Sequence, residues 1–186
     1  MQLLTPKNIR LPGLIVLAAS GLWIALSASL PGTSASLSLP APQAGFIAPD
    51  FTLTSLDGDS YTLSELRGKP ILVNLWASWC GPCRQEMPAM QALYEEFHPE
   101  GFEILAVNAA NQDNIPAAAA FVEELGLSFP ILLDLDGEVS RMYQLRALPS
   151  SFFINPDGSI AEVVIGGPMA EALLRTRIEK LIARLP

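Results

Sequence analysis

The chain has 186 residues, which is enough for one globular domain with a substantial core and a terminal appendage. Its formal net charge is -8, and every Asp and Glu lies at or beyond Asp50, so the acidic C-terminal part offers no basic face to a nucleic-acid backbone. Two cysteines and one histidine cannot supply the four ligands of a structural zinc site without carboxylates, which argues against a metal role.

The N-terminal segment has the composition of a membrane span. Residues 11–30 carry no charge and are rich in Leu, Ile, Ala and Val, and about 20 such residues cross a bilayer as a helix. Lys7 and Arg10 precede this segment, and the next basic residue is Arg67, so the positive-inside rule places the N-terminus in the cytoplasm and the remainder outside. Small residues at 27–29 resemble a signal-peptide cleavage site. The apolar run is longer than the roughly 7 to 15 residues of a signal peptide, which favours a retained anchor.

A linker and a hairpin follow. Residues 31–44 combine small polar residues with prolines and no charge, the composition of a flexible to semi-extended linker. The predicted organisation is therefore a cytoplasmic N-terminus at 1–10, a transmembrane anchor at 11–30, this linker, and a folded domain at 45–186. Two alternating segments flank Asp57-Gly58, a dipeptide that favours the positive backbone angles of a tight turn. They predict a leading β-hairpin.

Strands and helices alternate through the rest of the domain. Hydrophobic periodicity predicts, in chain order, a strand at 70–75, a helix at 86–97, a strand at 102–108, a helix at 115–125 and a strand at 130–133. Such a βαβαβ run indicates parallel strands. The C-terminal part predicts an antiparallel hairpin of 150–154 and 160–165, closed by an amphipathic helix at about 169–185. The predicted class is thus α/β, with a mixed central sheet and helices on both faces.

The motif Trp79-Cys80-Gly81-Pro82-Cys83 follows the first buried strand and opens a helix. We expect Cys80 to be exposed at the helix N-terminus, where free N–H groups and the helix dipole lower its thiol pKa from about 8.5 and make it the attacking nucleophile. Cys83, one turn further in and more covered, is then the resolving thiol. Pro82 keeps the first turn rigid, and Gly81 leaves room for a partner chain. This strand-to-helix context favours a redox-active pair over a structural disulfide or two buried thiols.

The segment from Leu75 to Cys83, Leu-Trp-Ala-Ser-Trp-Cys-Gly-Pro-Cys, resembles the thioredoxin superfamily. The leading hairpin, Asn74, Glu86 and the additional segment at 110–125 resemble more specifically the membrane-anchored TlpA/ResA branch, which is related to the AhpC/TSA redoxins. The resemblance implies a thioredoxin-like fold with an N-terminal β-hairpin extension and a single N-terminal transmembrane helix. It also implies a bacterial cytoplasmic membrane, with the soluble domain on the periplasmic side.

The resemblance assigns a role to Glu86. Soluble thioredoxins carry a buried carboxylate six residues before the first cysteine, where this chain has Asn74. In TlpA/ResA relatives, a Glu at the position matching Glu86 lies near the sulfurs and tunes proton transfer. Such a carboxylate takes the proton of Cys83 as that thiol attacks. The alternative is a residue in the first helical turn that is favoured only by the helix dipole, and the sequence leaves both interpretations open.

Pro149 matches the cis-proline of the superfamily, whose loop packs against the cysteines and receives the substrate backbone. The resemblance therefore predicts a cis Leu148–Pro149 bond, although only about one X-Pro bond in twenty is cis in folded proteins. With that loop, it implies a substrate-binding surface composed of Trp79, Gly81, Pro82, Leu148 and Pro149. The chain departs from the usual residues of the family around this loop, at Gln144, Ala147, Leu148, Ser150 and Ser151.

These features predict a protein-disulfide reductase that works by dithiol exchange through Cys80 and Cys83, without a bound cofactor. The expected substrates are extracytoplasmic proteins with disulfides, and the resemblance suggests apocytochrome c during cytochrome c maturation. Because that compartment is oxidising, a reductant there needs re-reduction, and relatives receive electrons from a membrane protein of the CcdA/DsbD type. The natural substrate and the direction of electron flow stay open at this stage.

Two alternative functions use the same fold. A peroxiredoxin-like peroxidase needs Thr or Ser three residues before its reactive cysteine, and this chain has Ala77 there. A copper-handling assembly protein usually has a CxxxC pair and a distal histidine, and the Cys80–Cys83 spacing does not match that pattern. Both alternatives are therefore less favoured than disulfide exchange.

Overall fold

The computed structural model of the protein describes residues 40–185. The predicted cytoplasmic N-terminus and transmembrane anchor, and most of the predicted linker, lie outside the described residues. Between residues 40 and 185, no helix is both long and apolar enough to cross a membrane. Ordered contacts begin close to the start of this range, since the Ala41 N–H donates to the Ile47 carbonyl at 3.0 Å.

The described chain alternates strands and helices as the sequence predicts. The strands are β1 (Thr52–Thr54), β2 (Ser60–Thr62), β3 (Ile71–Trp76), β4 (Glu103–Asn108), β5 (Ile131–Leu133), β6 (Ser150–Ile154) and β7 (Ile160–Ile165). The helices are α1 (Gly81–Phe97), α2 (Ile115–Leu125), α3 (Glu138–Met142) and α4 (Glu171–Ile182), with 3-10 turns at Leu63–Leu66 and His98–Glu100.

The central sheet is mixed, as predicted. Its strand order is β5-β4-β3-β6-β7, and β1 and β2 form a separate antiparallel hairpin. β3 pairs in parallel with β4, and β4 pairs in parallel with β5. β6 runs antiparallel to both β3 and β7. All six residues of β3 are buried, which explains why this strand is a nearly continuous apolar run rather than an alternating one.

Each face of the sheet has its own apolar cluster. One face packs side chains such as Leu72 and Phe153 against α1, α2 and α4. The opposite face packs against the β1–β2 hairpin and α3. Tyr143, just after α3, ties these two elements together, because its ring lies 5.8 Å from that of Phe51 and its hydroxyl donates to the Pro49 carbonyl at 2.7 Å. The predictions of helices on both faces and of a hairpin extension are therefore confirmed.

The short helix α3 was not predicted, because five residues are too few for a helical period to show. It begins where the buried Asp134 carboxylate accepts the N–H groups of Val139 at 3.1 Å and Ser140 at 2.8 Å.

The turn between β1 and β2 also differs from the tight turn that the sequence predicts. Only Gly58 of the Asp57-Gly58 dipeptide has a positive φ, because the Ser55 N–H donates to the Asp59 carbonyl and closes a longer loop.

Candidate active site

The two cysteines lie where the central strand passes into its helix. Cys80 is the N-cap of α1, and its Sγ accepts the Cys83 N–H at 3.1 Å. The pair is present as a disulfide, with the two Cα atoms 5.3 Å apart. Pro82 occupies the first turn, where its missing N–H costs no helical hydrogen bond. When the disulfide is reduced, the free N–H groups and the positive end of the dipole favour a thiolate on Cys80.

The predicted exposure of Cys80 is wrong. Its exposed fraction is 4%, against 1% for Cys83, and both belong to the apolar cluster that contains Trp76. The physical reason is that the disulfide holds Cys80 Sγ inward, toward the first turn of α1, at a junction that the core surrounds. Cys80 nevertheless lines an open groove and Cys83 does not. The two cysteines therefore differ, as predicted, but they differ in their access to this groove rather than in their overall exposure.

A groove of about 340 Å³ opens beside the disulfide. It is lined by Trp79, Cys80, Gly81, Pro82, Gln112, Leu145, Arg146, Ala147 and Leu148. Trp79 is 62% exposed, and its Nε1 donates to the Gln112 carbonyl at 3.0 Å. The structure therefore brings the predicted surface residues Trp79, Gly81, Pro82 and Leu148 to one groove. Sequence reasoning missed Gln112 and Arg146 as lining residues, because neither belongs to a motif.

Pro149 follows the lining residue Leu148 but is buried and does not itself line the groove. The Leu148–Pro149 bond is cis, as the resemblance predicted. The Pro149 carbonyl accepts the Gly166 N–H at 2.8 Å. A Cβ atom placed on Gly167 would lie 2.7 Å from Pro149 Cγ and 3.0 Å from Glu86 Oε2. The proline ring and the Glu86 carboxylate therefore approach each other across a glycine that has no room for a side chain.

Glu86 is a buried carboxylate with an exposed fraction of 1%. It follows Cys83 by three residues, so the two side chains share one face of α1. Burial raises the pKa of Glu86 above its ordinary value, against the lowering effect of hydrogen bonds from the Met169 N–H at 2.6 Å and from Asn74 Nδ2 at 3.3 Å. The first turn of α1 contains no acidic residue, so the interpretation of Glu86 as a first-turn residue favoured by the dipole is wrong.

Asp113 holds the loop that precedes the cysteines. Its carboxylate accepts the Ser78 N–H at 2.6 Å, the Ser78 hydroxyl at 2.5 Å and Asn108 Nδ2 at 2.8 Å. Burial by itself raises the pKa of Asp113, but these bonds and one from the Asn114 N–H outweigh it, and the pKa is lowered. β3 and β4 are parallel neighbours, so the residues after them meet at one edge of the sheet. That topological signal was available in the sequence and was missed.

We expect Asp113→Asn to destabilise the protein by about 1 to 2 kcal/mol at neutral pH, because hydrogen bonds to a charged acceptor are lost and the site is only partly buried. The lowered pKa fixes the pH dependence: this stability is present above the ordinary Asp pKa and is lost as the pH falls through the folded-state value. Thermal unfolding at pH 7 and at pH 3 measures the difference. Asp57→Asn, at an exposed loop residue, is the control, and equal melting temperatures at pH 7 would contradict the role of Asp113.

Comparisons with known proteins agree with this site. The AhpC/TSA family model matches residues 44–163. The thiol-disulfide oxidoreductase ResA of Geobacillus kaustophilus is 39% identical over 131 residues, covering 70% of this chain and 74% of the relative. ResA of Halalkalibacterium halodurans is 42% identical over 137 residues, covering 74% and 76%.

Solved structures show the same fold. The crystal structure of a putative thiol:disulfide interchange protein DsbE from Chlorobium tepidum superposes with a TM-score of 0.69 at 31% identity, covering 75% of this chain and 97% of that one. StoA from Bacillus subtilis superposes with a TM-score of 0.62 at 29% identity, covering 69% and 96%. The thioredoxin-like fold predicted from the sequence is therefore confirmed for the domain.

Proposed function

Because the chain belongs to the AhpC/TSA family and, within it, to the ResA-like thiol-disulfide oxidoreductases, we propose that it reduces disulfides of extracytoplasmic proteins. The observation that carries this proposal is the Cys80–Cys83 disulfide at the N-terminus of α1, with one sulfur beside an open groove. An open groove with the exposed ring of Trp79 at its edge suits an extended polypeptide better than a small ligand. Protein disulfides are accordingly the proposed substrates.

Dithiol exchange accounts for the two positions of the cysteines. In the reduced protein, the Cys80 thiolate attacks a substrate disulfide, so that a mixed disulfide forms and one substrate sulfur leaves as a thiolate. Cys83 then attacks Cys80 Sγ, the mixed disulfide breaks, and the second substrate sulfur leaves. The substrate gains two electrons, and the protein returns to the oxidised pair seen in the structure.

The resolving step requires Cys83 to lose a proton, and Glu86 is the proposed acceptor. A carboxylate that is buried and has a raised pKa holds a proton at a higher pH than an exposed one does, which brings its proton affinity closer to that of a thiol. Its position three residues after Cys83, on the same helical face, supports the transfer. Once the exchange is complete, Glu86 returns the proton to the leaving thiolate or to solvent.

The proposed setting follows from the N-terminal sequence and the family. A span at residues 11–30 would anchor the chain, with residues 1–10 in the cytoplasm and the folded domain on the periplasmic side of a bacterial cytoplasmic membrane. Apocytochrome c, during cytochrome c maturation, is the proposed substrate. A dithiol-bearing membrane protein of the CcdA/DsbD type is the proposed electron donor, because a reductant in an oxidising compartment must be recharged.

The two alternative functions gain no support from the site. Ala77, which is fully buried, stands where a peroxidase needs a hydroxyl. His98 lies beyond the C-terminal end of α1, where its Nδ1 is 3.1 Å from the Phe102 carbonyl oxygen, whereas Cys80 caps the N-terminal end. A thiol peroxidase activity or stoichiometric copper binding in the purified protein would restore the corresponding alternative.

The reduction potential of the Cys80–Cys83 pair tests the proposed direction of electron flow. We expect the detergent-solubilised full-length chain, equilibrated with defined dithiol buffers, to have a potential near or below thioredoxin's value of about -270 mV. Free thiols are counted by alkylation and mass measurement at each buffer composition. A potential near the value of DsbA, about -120 mV, would indicate an oxidant instead and would contradict the proposed role in cytochrome maturation.

A further inference from the structure

Three buried polar side chains meet where β3, β6 and α1 pack together. Asn74 lies in β3, Ser151 in β6 and Glu86 in α1, and each has an exposed fraction of 1%. Asn74 and Ser151 are directly paired in the register of the two strands. A polar group at the centre of a fully buried strand costs free energy unless it is hydrogen-bonded, so the contacts of Asn74 indicate what this residue does.

Asn74 acts entirely as a donor. Its Nδ2 donates to Glu86 Oε1 at 3.3 Å and to Ser151 Oγ at 2.9 Å. Its Oδ1 is buried and has no hydrogen-bond partner within residues 40–185. The amide therefore uses both of its hydrogens while its oxygen is left unsatisfied. Because leaving an acceptor unpaired is costly, the two acceptors Glu86 and Ser151 together fix this orientation.

We propose that Asn74 is a positioning residue that sets the pH at which Glu86 exchanges its proton, with Ser151 orienting the Asn74 amide. The inference rests on the proposed role of Glu86 as the acceptor of the Cys83 proton. An amide with both hydrogens directed at acceptors stabilises the ionised carboxylate, which otherwise has only the Met169 N–H as a donor among the described residues. Without Asn74, Glu86 would remain protonated to a higher pH, so at a given pH a smaller fraction of molecules would have the ionised carboxylate that accepts the Cys83 proton.

Among residues 40–185, no charged side chain contributes to the pKa shift of Glu86. The groups around Glu86 are Cys83, one turn earlier on α1, Asn74 on β3, the Met169 N–H before α4 and the uncharged Gly167, whereas Ser151 on β6 contacts Asn74. Within the described residues, only burial and the bonds from Met169 and Asn74 shift the pKa of Glu86. The Met169 donor belongs to the backbone and is present whatever the side chain. Asn74 is therefore the contact through which a substitution can change the proton affinity of Glu86.

The chemical identity of residue 74 also affects how readily Glu86 ionises. A carboxylate there would lie about 3.3 Å from Glu86 Oε1, if it kept the place of the amide nitrogen, and two carboxylates this close cannot both ionise readily. An amide on the strand and a carboxylate on the helix are thus complementary. Asn74→Asp is expected to raise the upper apparent pKa of the pair further than Asn74→Leu raises that of Glu86.

The experiment measures how the resolving step depends on pH. Full-length reduced protein reacts with a labelled peptide disulfide, and release of the second peptide thiol is followed between pH 5 and pH 9. Asn74→Leu is expected to move the midpoint of this profile upward by about one pH unit, as loss of a hydrogen bond to a charged group predicts. Below both midpoints, release is then about tenfold slower than in the unmodified protein, and it recovers as the pH rises. Ser151→Ala, which keeps the Asn74–Glu86 contact, is expected to give a smaller shift.

Glu86→Gln separates failure of this inference from failure of the proposed function. If Glu86→Gln leaves the profile unchanged, Glu86 does not accept the proton and the proposed role fails. If Glu86→Gln flattens the profile but both Asn74→Leu and Asn74→Asp leave its midpoint in place, Asn74 has only a structural role and the inference is overturned. Melting temperatures are measured in parallel, because lost stability alone does not move the midpoint. Asn74→Asp, which is nearly isosteric, keeps the test available if Asn74→Leu does not fold.

Discussion

Cys83→Ser is expected to stop the reaction after the first exchange, with the substrate held on Cys80 as a mixed disulfide. Cys80 lines the groove and lies at the N-terminus of α1, so it can still attack. A serine hydroxyl cannot replace the thiolate that breaks the mixed disulfide, and multiple turnover should fall by at least about a thousandfold, as it does when an enzyme loses a member of its nucleophilic machinery. Intact-mass spectrometry after reaction with a peptide disulfide detects the adduct.

Cys80→Ser is the matched comparison, because it makes the same chemical change at the other sulfur. It should lose turnover to a similar extent but accumulate no adduct, since Cys83 does not line the groove and lies within the core. The two variants together distinguish a loss of chemistry from a loss of fold. If Cys80→Ser traps the substrate and Cys83→Ser does not, the assigned order of attack is reversed.

Local patterns were sufficient to predict most of the fold. β6, β7 and α2 have the predicted bounds, because alternation and helical periodicity are properties of neighbouring residues. α4 is shorter at both ends than predicted, at Glu171–Ile182, because helix ends depend on capping contacts rather than on periodicity. α3 was missed because its five residues are too few to show a helical period, and its start depends on the buried carboxylate of Asp134.

The site was predictable only in part. The CxxC motif identified Cys80 and Cys83, and the resemblance identified Pro149 and Glu86. What surrounds Glu86 could not be predicted, because its partners Asn74 and Met169 are 12 and 83 residues away in sequence. The burial of Cys80 and the contacts of Asp113 are likewise products of tertiary packing. Sequence therefore indicated which residues react, whereas the structure was needed to show which residues position them.

Gly167→Ala is expected to lower the rate of disulfide exchange by about a hundredfold, although residue 167 carries no reactive group. The added Cβ would lie 2.7 Å from Pro149 Cγ and 3.0 Å from Glu86 Oε2, closer than side chains pack. Either the cis-proline loop or the carboxylate must move, and a displacement of about 1 Å at a catalytic site costs on the order of a hundredfold in rate. Overpacking should also reduce stability by about 1 to 3 kcal/mol.

Steady-state reduction of a peptide disulfide and thermal unfolding measure the two effects of Gly167→Ala. Ala170→Ser, at the exposed N-cap of α4, is the control: its rate should match that of the unmodified protein, and its melting temperature should be equal or higher, because serine is a better N-cap than alanine. A Gly167→Ala variant with unchanged rates would show that the proline loop and Glu86 tolerate displacement, which contradicts the tight approach in the structure.

The double variant Gly167→Ala/Glu86→Gln identifies which neighbour the alanine displaces. If the methyl group acts by moving the Glu86 carboxylate, its effect on the resolving step should largely disappear once that carboxylate is absent, because both changes remove the same function. If it acts by moving Pro149, the two effects should multiply, since substrate binding and proton transfer then fail independently. We expect the second result, because the ring atom of Pro149 makes the closer approach, and a proline ring, which has no freely rotating side-chain bond, can relieve that contact only if the backbone of its loop moves.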